Sequence, residues 1–252
     1  MPVSCLLAEI EAAAVRSWPA LETVALDGWL WRWASGGSQR ANSVATLAFH
    51  GTDLDAAVRE SERRYRAKGA ACRFTISEVS EPCDLDARLA ALGYDRGHDH
   101  VTMAKEIAAP DAASPGPPAH GVALSTDPTP EWLAVYLSGL TPDRRRVAPA
   151  ILEGLPAHRS YFSCRRDGAV VGSGLSIADD RLASVQCMAT LERARRQGCA
   201  RAILSAIEAW AAEQGCTYLY LQAEADNAAA IALYQGCGFR VAGRYHLRTR
   251  AG

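Results

Sequence analysis

The run from Ala183 to Phe239 narrows what this chain can be more than any other stretch. Ala183 to Thr190 predicts a strand, and Arg193 to Ala200 a basic loop that includes Gly198. Ala200, Ile203, Leu204, Ile207 and Ala211 then recur at helical spacing, and Gly215 ends that helix as a left-handed cap would. Cys216 to Ala223 alternates as a second strand, and Asp226 is placed to cap a short Ala-rich helix that Gly238 closes.

A strand that feeds a helix through a loop of small residues makes an anion cradle. The first-turn amides lack intrahelical acceptors, and the helix dipole adds partial positive charge there. Gly198 and Ala200 keep the turn open to phosphate oxygens, while Arg195 and Arg196 add formal charge. The loop matches neither a Walker loop nor the dinucleotide fingerprint. Downstream, Asn227 and Tyr234 stand seven residues apart, about two helical turns and roughly 10 Å along one face. An amide and a phenol aligned beside a pyrophosphate cradle suit a long cofactor with an acyl end.

On these residues the chain resembles the GNAT superfamily of N-acetyltransferases. Arg195-Arg196-Gln197-Gly198-Cys199-Ala200 is similar to that family's acetyl-CoA loop, R/Q-x-x-G-x-G/A. Asn227 to Phe239 is similar to N-x-x-A-x-x-L-Y-x-x-x-G-F, with every defined position present. The resemblance is sharp over about residues 160 to 250 and faint elsewhere. Glu192, where the family usually has proline, and Ala200, an allowed variant, are the departures.

The resemblance implies an α/β fold with a mixed, mostly antiparallel central sheet flanked by helices. It also implies acetyl transfer from acetyl-CoA to a primary amine of a small molecule or peptide, by direct attack in a ternary complex and without a metal. The main chain of Met188 and Thr190 would hold the pantetheine arm, and the amides from Arg196 to Ala200 the pyrophosphate. Asn227 would bond the arm, and Tyr234 would act as general acid towards the departing sulfur, since a phenol is protonated at neutral pH. Glu224, at the end of the second strand, is either a general base for the amine or a capping and salt-bridging carboxylate. A second reading, from another class, is a non-catalytic acyl-CoA-binding sensor or interaction module.

The first half echoes the second more weakly. Asp53 to Lys68 predicts a helix closed by Gly69, followed by a strand from Arg73 to Ser77, a helix from Asp84 to Leu92 and a strand from His98 to Lys105. Aligned on Gly93 and Gly238, Leu89 falls where Tyr234 stands and Pro82 where Asn227 stands, and no R-x-x-G-x-A loop precedes the long helix. The expected organisation is therefore a degenerate GNAT-like domain over 1–107 that binds no CoA, a Pro-rich linker over 108–120, and an acetyl-CoA-binding domain over 121–252.

Residues 4 to 18 predict an amphipathic helix, and Trp29-Leu30-Trp31-Arg32-Trp33 a strand with three indoles on one face. The row suits sheet packing better than base or sugar stacking. It precedes Gly36-Gly37-Ser38-Gln39-Arg40-Ala41-Asn42-Ser43, a G-G-x-x-R-x-N-S run similar to one found in a related branch of GNAT-like proteins. Arg40 and Asn42 are thus expected to line the acceptor pocket. His98 and His100 share a strand face without a third ligand at sensible spacing, which favours ordinary strand histidines over a metal site. Pro130 to Leu140 predicts a helix, and Ser160 to Arg166 with Ala169 to Ile177 a hairpin around Asp167-Gly168.

A net charge of −1 gives no electrostatic case for nucleic acid or membrane partners. No apolar run reaches spanning length, and Glu9 and Glu11 within the first apolar run argue against a signal peptide. Eight scattered cysteines without a C-x-x-C pair suit reduced thiols, hence a cytoplasmic protein, as a monomer or homodimer. Cys199 alone stands where a helix N-terminus could lower a thiol pKa, although a small residue filling a tight turn explains it more simply.

Overall fold

The computed structural model describes residues 3–107 and 121–251, so the expected linker lies outside the described residues. The first half runs α1 (Val3–Ser17), β1 (Glu22–Leu26), β2 (Trp29–Trp33), β3 (Val44–Ala45), α2 (Leu54–Ala67), β4 (Cys72–Ser77), α3 (Leu85–Ala91), β5 (Asp95–Arg96) and β6 (His100–Glu106). The second runs β7 (Val122–Ser125), α4 (Pro130–Ser138), α5 (Pro142–Glu153), β8 (Arg159–Arg166), β9 (Ala169–Asp179), β10 (Leu182–Ser184), β11 (Gln186–Thr190), α6 (Cys199–Glu213), β12 (Tyr218–Glu224), α7 (Ala228–Gln235) and β13 (Arg240–Arg250).

Among the described residues the strands form one sheet in the order β1-β2-β3-β4-β13-β6-β12-β10-β9-β8-β7, with β11 added to β9 and β5 to β13. It is the mixed, mostly antiparallel sheet expected. Only β3 with β4 and β10 with β12 pair in parallel among the described residues. The two halves exchange their last strands: β13 pairs with β4 of the first half, and β6 pairs with β12 of the second. β6 and β13 then meet each other at the centre. Sequence reading found no strand after Phe239. Its inward residues, Tyr245 and Leu247, are few, and both its partners lie far away in the chain.

Strand alternation sorts the side chains between two layers. Val101, Met103, Leu219 and Leu221 face α6 and α7, while Ala104, Tyr218 and Tyr220 face α1. Gly174 permits the close approach of α6, because a Cβ there would meet Ile203 at 2.5 Å. The indole row is core, as expected: Trp29 and Trp31 are fully buried, with Trp31 5.0 Å from Tyr65 and Trp29 5.6 Å from Phe74. Each such aromatic contributes about 1.5–3 kcal/mol by burial, which ties β2 to α2 and β4.

From sequence, Arg144-Arg145-Arg146 reads as a solvated helix start rather than a cluster that attracts an anionic substrate, and that helix is α5, which continues through Pro149. Its start carries the same signal as that of α4. Thr129 accepts from Trp132 N–H and Thr141 from Arg144 N–H, each with proline at the first helical position. Arg144 to Arg146 are the exposed first turn of α5, and Arg146 Nη2 donates to Ser35 O at 2.9 Å.

Candidate active site

The expected strand from Ala183 to Thr190 is broken in the middle. β10 pairs with β12 over Leu182–Ser184, and Val185 N–H still donates to Tyr220 O at 2.8 Å. Cys187 then adopts φ +51°, the register shifts between Gln186 and Ala189, and β11 stays with β9 alone. A network at the end of α1 braces this parting. Gln186 Nε2 donates to Ser17 O at 3.2 Å and to its Oγ at 3.1 Å, and Ser17 Oγ bonds the Tyr220 hydroxyl at 2.8 Å. Leu191 N–H donates to Val171 O on β9 at 2.9 Å, so by alternation the main-chain groups of Met188 and Thr190 face the gap beside β12.

The N-terminus of α6 stands at the end of that gap. Gly198 is its N-cap with φ +81°, provides no side-chain cap and has open space where a Cβ would lie. Among the described residues the amides of Arg196, Gln197, Gly198, Cys199 and Ala200 have no acceptor, and the side chains of Arg195 and Arg196 are exposed and unpaired. Five free donors, a helix dipole and two guanidiniums can together hold a polyanion. Gln197 is also exposed, its Nε2 bonded to Arg193 O at 3.0 Å. Cys199 points the other way: it is 1% exposed against Cys164, so it fills the turn.

Asn227, rather than Asp226, caps α7, with Oδ1 accepting from Ala230 N–H at 3.1 Å. The Asn227 amide nitrogen has no partner among the described residues. Tyr234 lies in the last turn, packed edge-on against Phe239 with ring centroids 5.9 Å apart. Its hydroxyl likewise has no partner among the described residues. Burial, and secondarily Cys237, push the phenol up to about 12, so it holds its proton at neutral pH.

A second group of polar residues gathers on the α1 face of the same strands. Arg40 Nη1 donates to Gln222 Oε1 at 3.1 Å, and Gln222 Nε2 donates to Glu11 Oε2 at 3.1 Å. Thr102 Oγ1 donates to Glu11 Oε1 at 2.6 Å, and burial raises the Glu11 carboxyl pKa despite these bonds. Arg40 lies over the Trp18 ring at 5.5 Å, which fixes its guanidinium. Glu224 pairs across the strands with His100, and His100 stacks on Tyr245 at 4.6 Å. His100 Nδ1 lies 3.2 Å from His98 O, an oxygen that only accepts, so Nδ1 carries the proton and Nε2 the lone pair. Burial lowers the His100 pKa and keeps the ring neutral near pH 7.

The family described as "Probable histone acetyltransferase Rv0428c C-terminal" matches residues 7–248. The chain belongs to this family. It is a GNAT-type N-acetyltransferase. The "Uncharacterized N-acetyltransferase YobR" of Bacillus subtilis is 26% identical over 96% of this chain and 98% of its own. An "Aminoglycoside N(6')-acetyltransferase type 1" of Serratia marcescens is 30% identical over 43% of this chain and 82% of its own. The structure of a GCN5-related N-acetyltransferase from Kribbella flavida shares the fold, with a TM-score of 0.67, 19% identity, and 97% and 96% of the two chains covered.

In this GNAT enzyme the residues expected from sequence fall into three places. Met188 and Thr190 border the gap, Arg195 to Ala200 lie at the helix start, and Asn227 and Tyr234 bracket α7. Glu224 ends β12 on the opposite face, two residues beyond the Gln222 that Arg40 bonds. Asn42 does not join them. It is 2% exposed, and its amide accepts from Ala34 and Gly36 N–H and donates to Gly36 and Ser38 carbonyls, which leaves no group for a substrate. It shapes the loop that carries Arg40. His100, Gln222, Glu11, Arg32 and Tyr245 were not singled out as site residues from sequence. Period-two alternation places His100 and Gln222 on one face, but only strand order brings them side by side. Among the described residues no group of three or more His, Cys, Asp or Glu is placed to hold a metal ion, and no helix is long and apolar enough to cross a membrane.

Proposed function

We propose that this chain moves an acetyl group from acetyl-CoA to a primary amine by direct attack in a ternary complex. The parting of β11 from β12 beside the uncapped start of α6 carries this reading. It supplies unpaired strand edges for an amide-bearing arm and unpaired amides for a pyrophosphate, the two ends of one molecule. The residues fit that group: Arg196 to Ala200 would hold the phosphates, Met188 and Thr190 the arm, and the free amide nitrogen of Asn227 would assist. Bound acetyl-CoA supplies an activated thioester.

The remaining work falls to side chains. Neutral His100, with Nε2 free and Glu224 across the strand pair, takes the proton of the incoming amine; Glu224 also attracts the ammonium form. A main-chain N–H at Met188 stabilises charge that develops on the acyl oxygen. Tyr234, its hydroxyl unengaged and its pKa raised, donates to the sulfur as it leaves. The amine class agrees with the names of the relatives, one of them an aminoglycoside N(6')-acetyltransferase. The first half, with its own parallel β3–β4 pair, reads as a degenerate copy that forms scaffold and pocket wall.

Thiol release from acetyl-CoA in the presence of an amine panel tests this. Amine-dependent release is expected. Calorimetric binding of acetyl-CoA without release for any amine would leave a binding module instead, and no binding at millimolar excess would remove the whole reading.

A further inference from the structure

Beside the strand gap lies a small cavity whose charges have no use in the chemistry above. Glu11, Arg32, Arg40, Thr75, Gln222 and Tyr245 line it. Its volume is about 30 Å³, room for roughly two waters or one carboxylate group. Arg32 is 4% exposed and has no carboxylate within ion-pair distance among the described residues. Its Nε donates to Ser43 O at 3.4 Å and its Nη2 to Arg40 O, while Nη1 has no partner there. Burial, followed by the charge of Arg40, lowers its pKa to about 10. A guanidinium this deep with only carbonyls for company is costly, and an entering anion would relieve that cost. Glu11 does not serve as that anion, because both its oxygens are bonded to Thr102 and Gln222. The Tyr245 hydroxyl is also unpartnered among the described residues, although the residue is 4% exposed.

We propose that this cavity holds a carboxylate of the acceptor, so that the acceptor is a small zwitterion with its acid close to its primary amine. The inference rests on the acyl-transfer reading, and it names the substrate class of that site. Gln222 sets the direction. Its side chain accepts from Arg40 inside the cavity, while its main chain borders the gap just past the last β10–β12 bond. With the acid on Arg32 and Arg40, the amine faces outward to His100 and Glu224, which share that face. A polycation would meet two guanidiniums against one carboxylate, and a carboxylate-sized chamber excludes a sugar ring.

The test pairs amino acids of two to four carbons with their carboxamides in the thiol-release assay. The acids are expected to show kcat/KM at least tenfold above the carboxamides, since a site built for a charged partner rejects the analogue lacking it. Arg40→Gln is expected to bring that ratio close to one by raising KM for the acids. Arg32→Gln does the same, and retained acetyl-CoA binding by calorimetry reports that the variant is folded. Equal use of acid and carboxamide by the wild type overturns the proposal, as does a preference for aminoalkylphosphonates over the acids. Should no amine be acetylated, the transfer reading fails by itself. Calorimetry of the same pairs with the CoA-loaded protein then decides the cavity: a tenfold lower Kd for acids supports it, and no difference overturns it.

Discussion

Helices α2 and α6 follow comparable strands in the two halves, yet their first turns are built for different purposes. Asp53 caps α2, its carboxylate accepting from Ala56 N–H at 2.8 Å, so the turn is both satisfied and negatively charged. Gly198 caps α6 with backbone alone, beside unpaired arginines. One terminus is closed by its own side chain, whereas the other presents its donors outward, free to accept an anion. The later helices differ in the same sense. Leu89 on α3 is fully buried core, and Tyr234 on α7 keeps a hydroxyl without a partner among the described residues. Comparable parallel pairs, β3 with β4 and β10 with β12, have therefore been put to opposite uses: stability in the first half, an opened edge in the second.

Four experiments sharpen or break this comparison. Tyr234→Phe, which makes α7 as inert as α3, is expected to lower kcat by about 100-fold or more with acetyl-CoA affinity kept; unchanged turnover would deny the phenol its role as acid. Transplanting the α2 cap by Gly198→Asp sets a carboxylate against the phosphates and strains a left-handed position. It is expected to weaken acetyl-CoA binding by about tenfold or more, and calorimetry showing equal Kd would mean that the cofactor lies elsewhere.

The third concerns pH. His100 must be neutral to accept a proton, and its pKa is held below the ordinary imidazole range by burial, with His98, Glu224, Arg40 and Tyr245 as its polar neighbours. Activity should therefore be flat near neutrality and fall as pH drops through that lowered value. His100→Gln should lower the plateau and abolish the limb; a limb that persists belongs to another group. The smallest effect is expected from Asp53→Ala. Loss of the cap should cost about 1 kcal/mol of stability in urea titrations while leaving acetyl-CoA affinity alone, and an affinity change would blur the division between the two termini.

Much of this was legible in the residues. The Arg195 to Ala200 and Asn227 to Phe239 spacings placed the cradle and the phenol, because a helix start and a helix end are defined by neighbours a few positions apart. The indole row was read as core for a similarly local reason: alternate large apolar side chains demand a covered face. The far side of the site was legible only in part: Arg40 stood out in its loop, and it lines the chamber beside Arg32 and Gln222. Asn42 looked like a free donor, yet it braces its own loop, and whether an amide points inward depends on carbonyls that only the folded loop supplies.

Sequence by itself determined the helix–strand–helix order from Ala200 to Gln235, the unsealed helix start and the place of the Tyr234 phenol on the last helix. Tertiary structure decided where the strand from Ala183 breaks, that β13 crosses into the first half, and that Glu11, Arg32, Arg40 and Gln222 line one chamber. Helix caps and turns are written in short-range chemistry that any reader of the chain can follow. Strand order, and the gathering of polar groups from residues 11, 32, 40 and 222, arise only when distant segments close on one another.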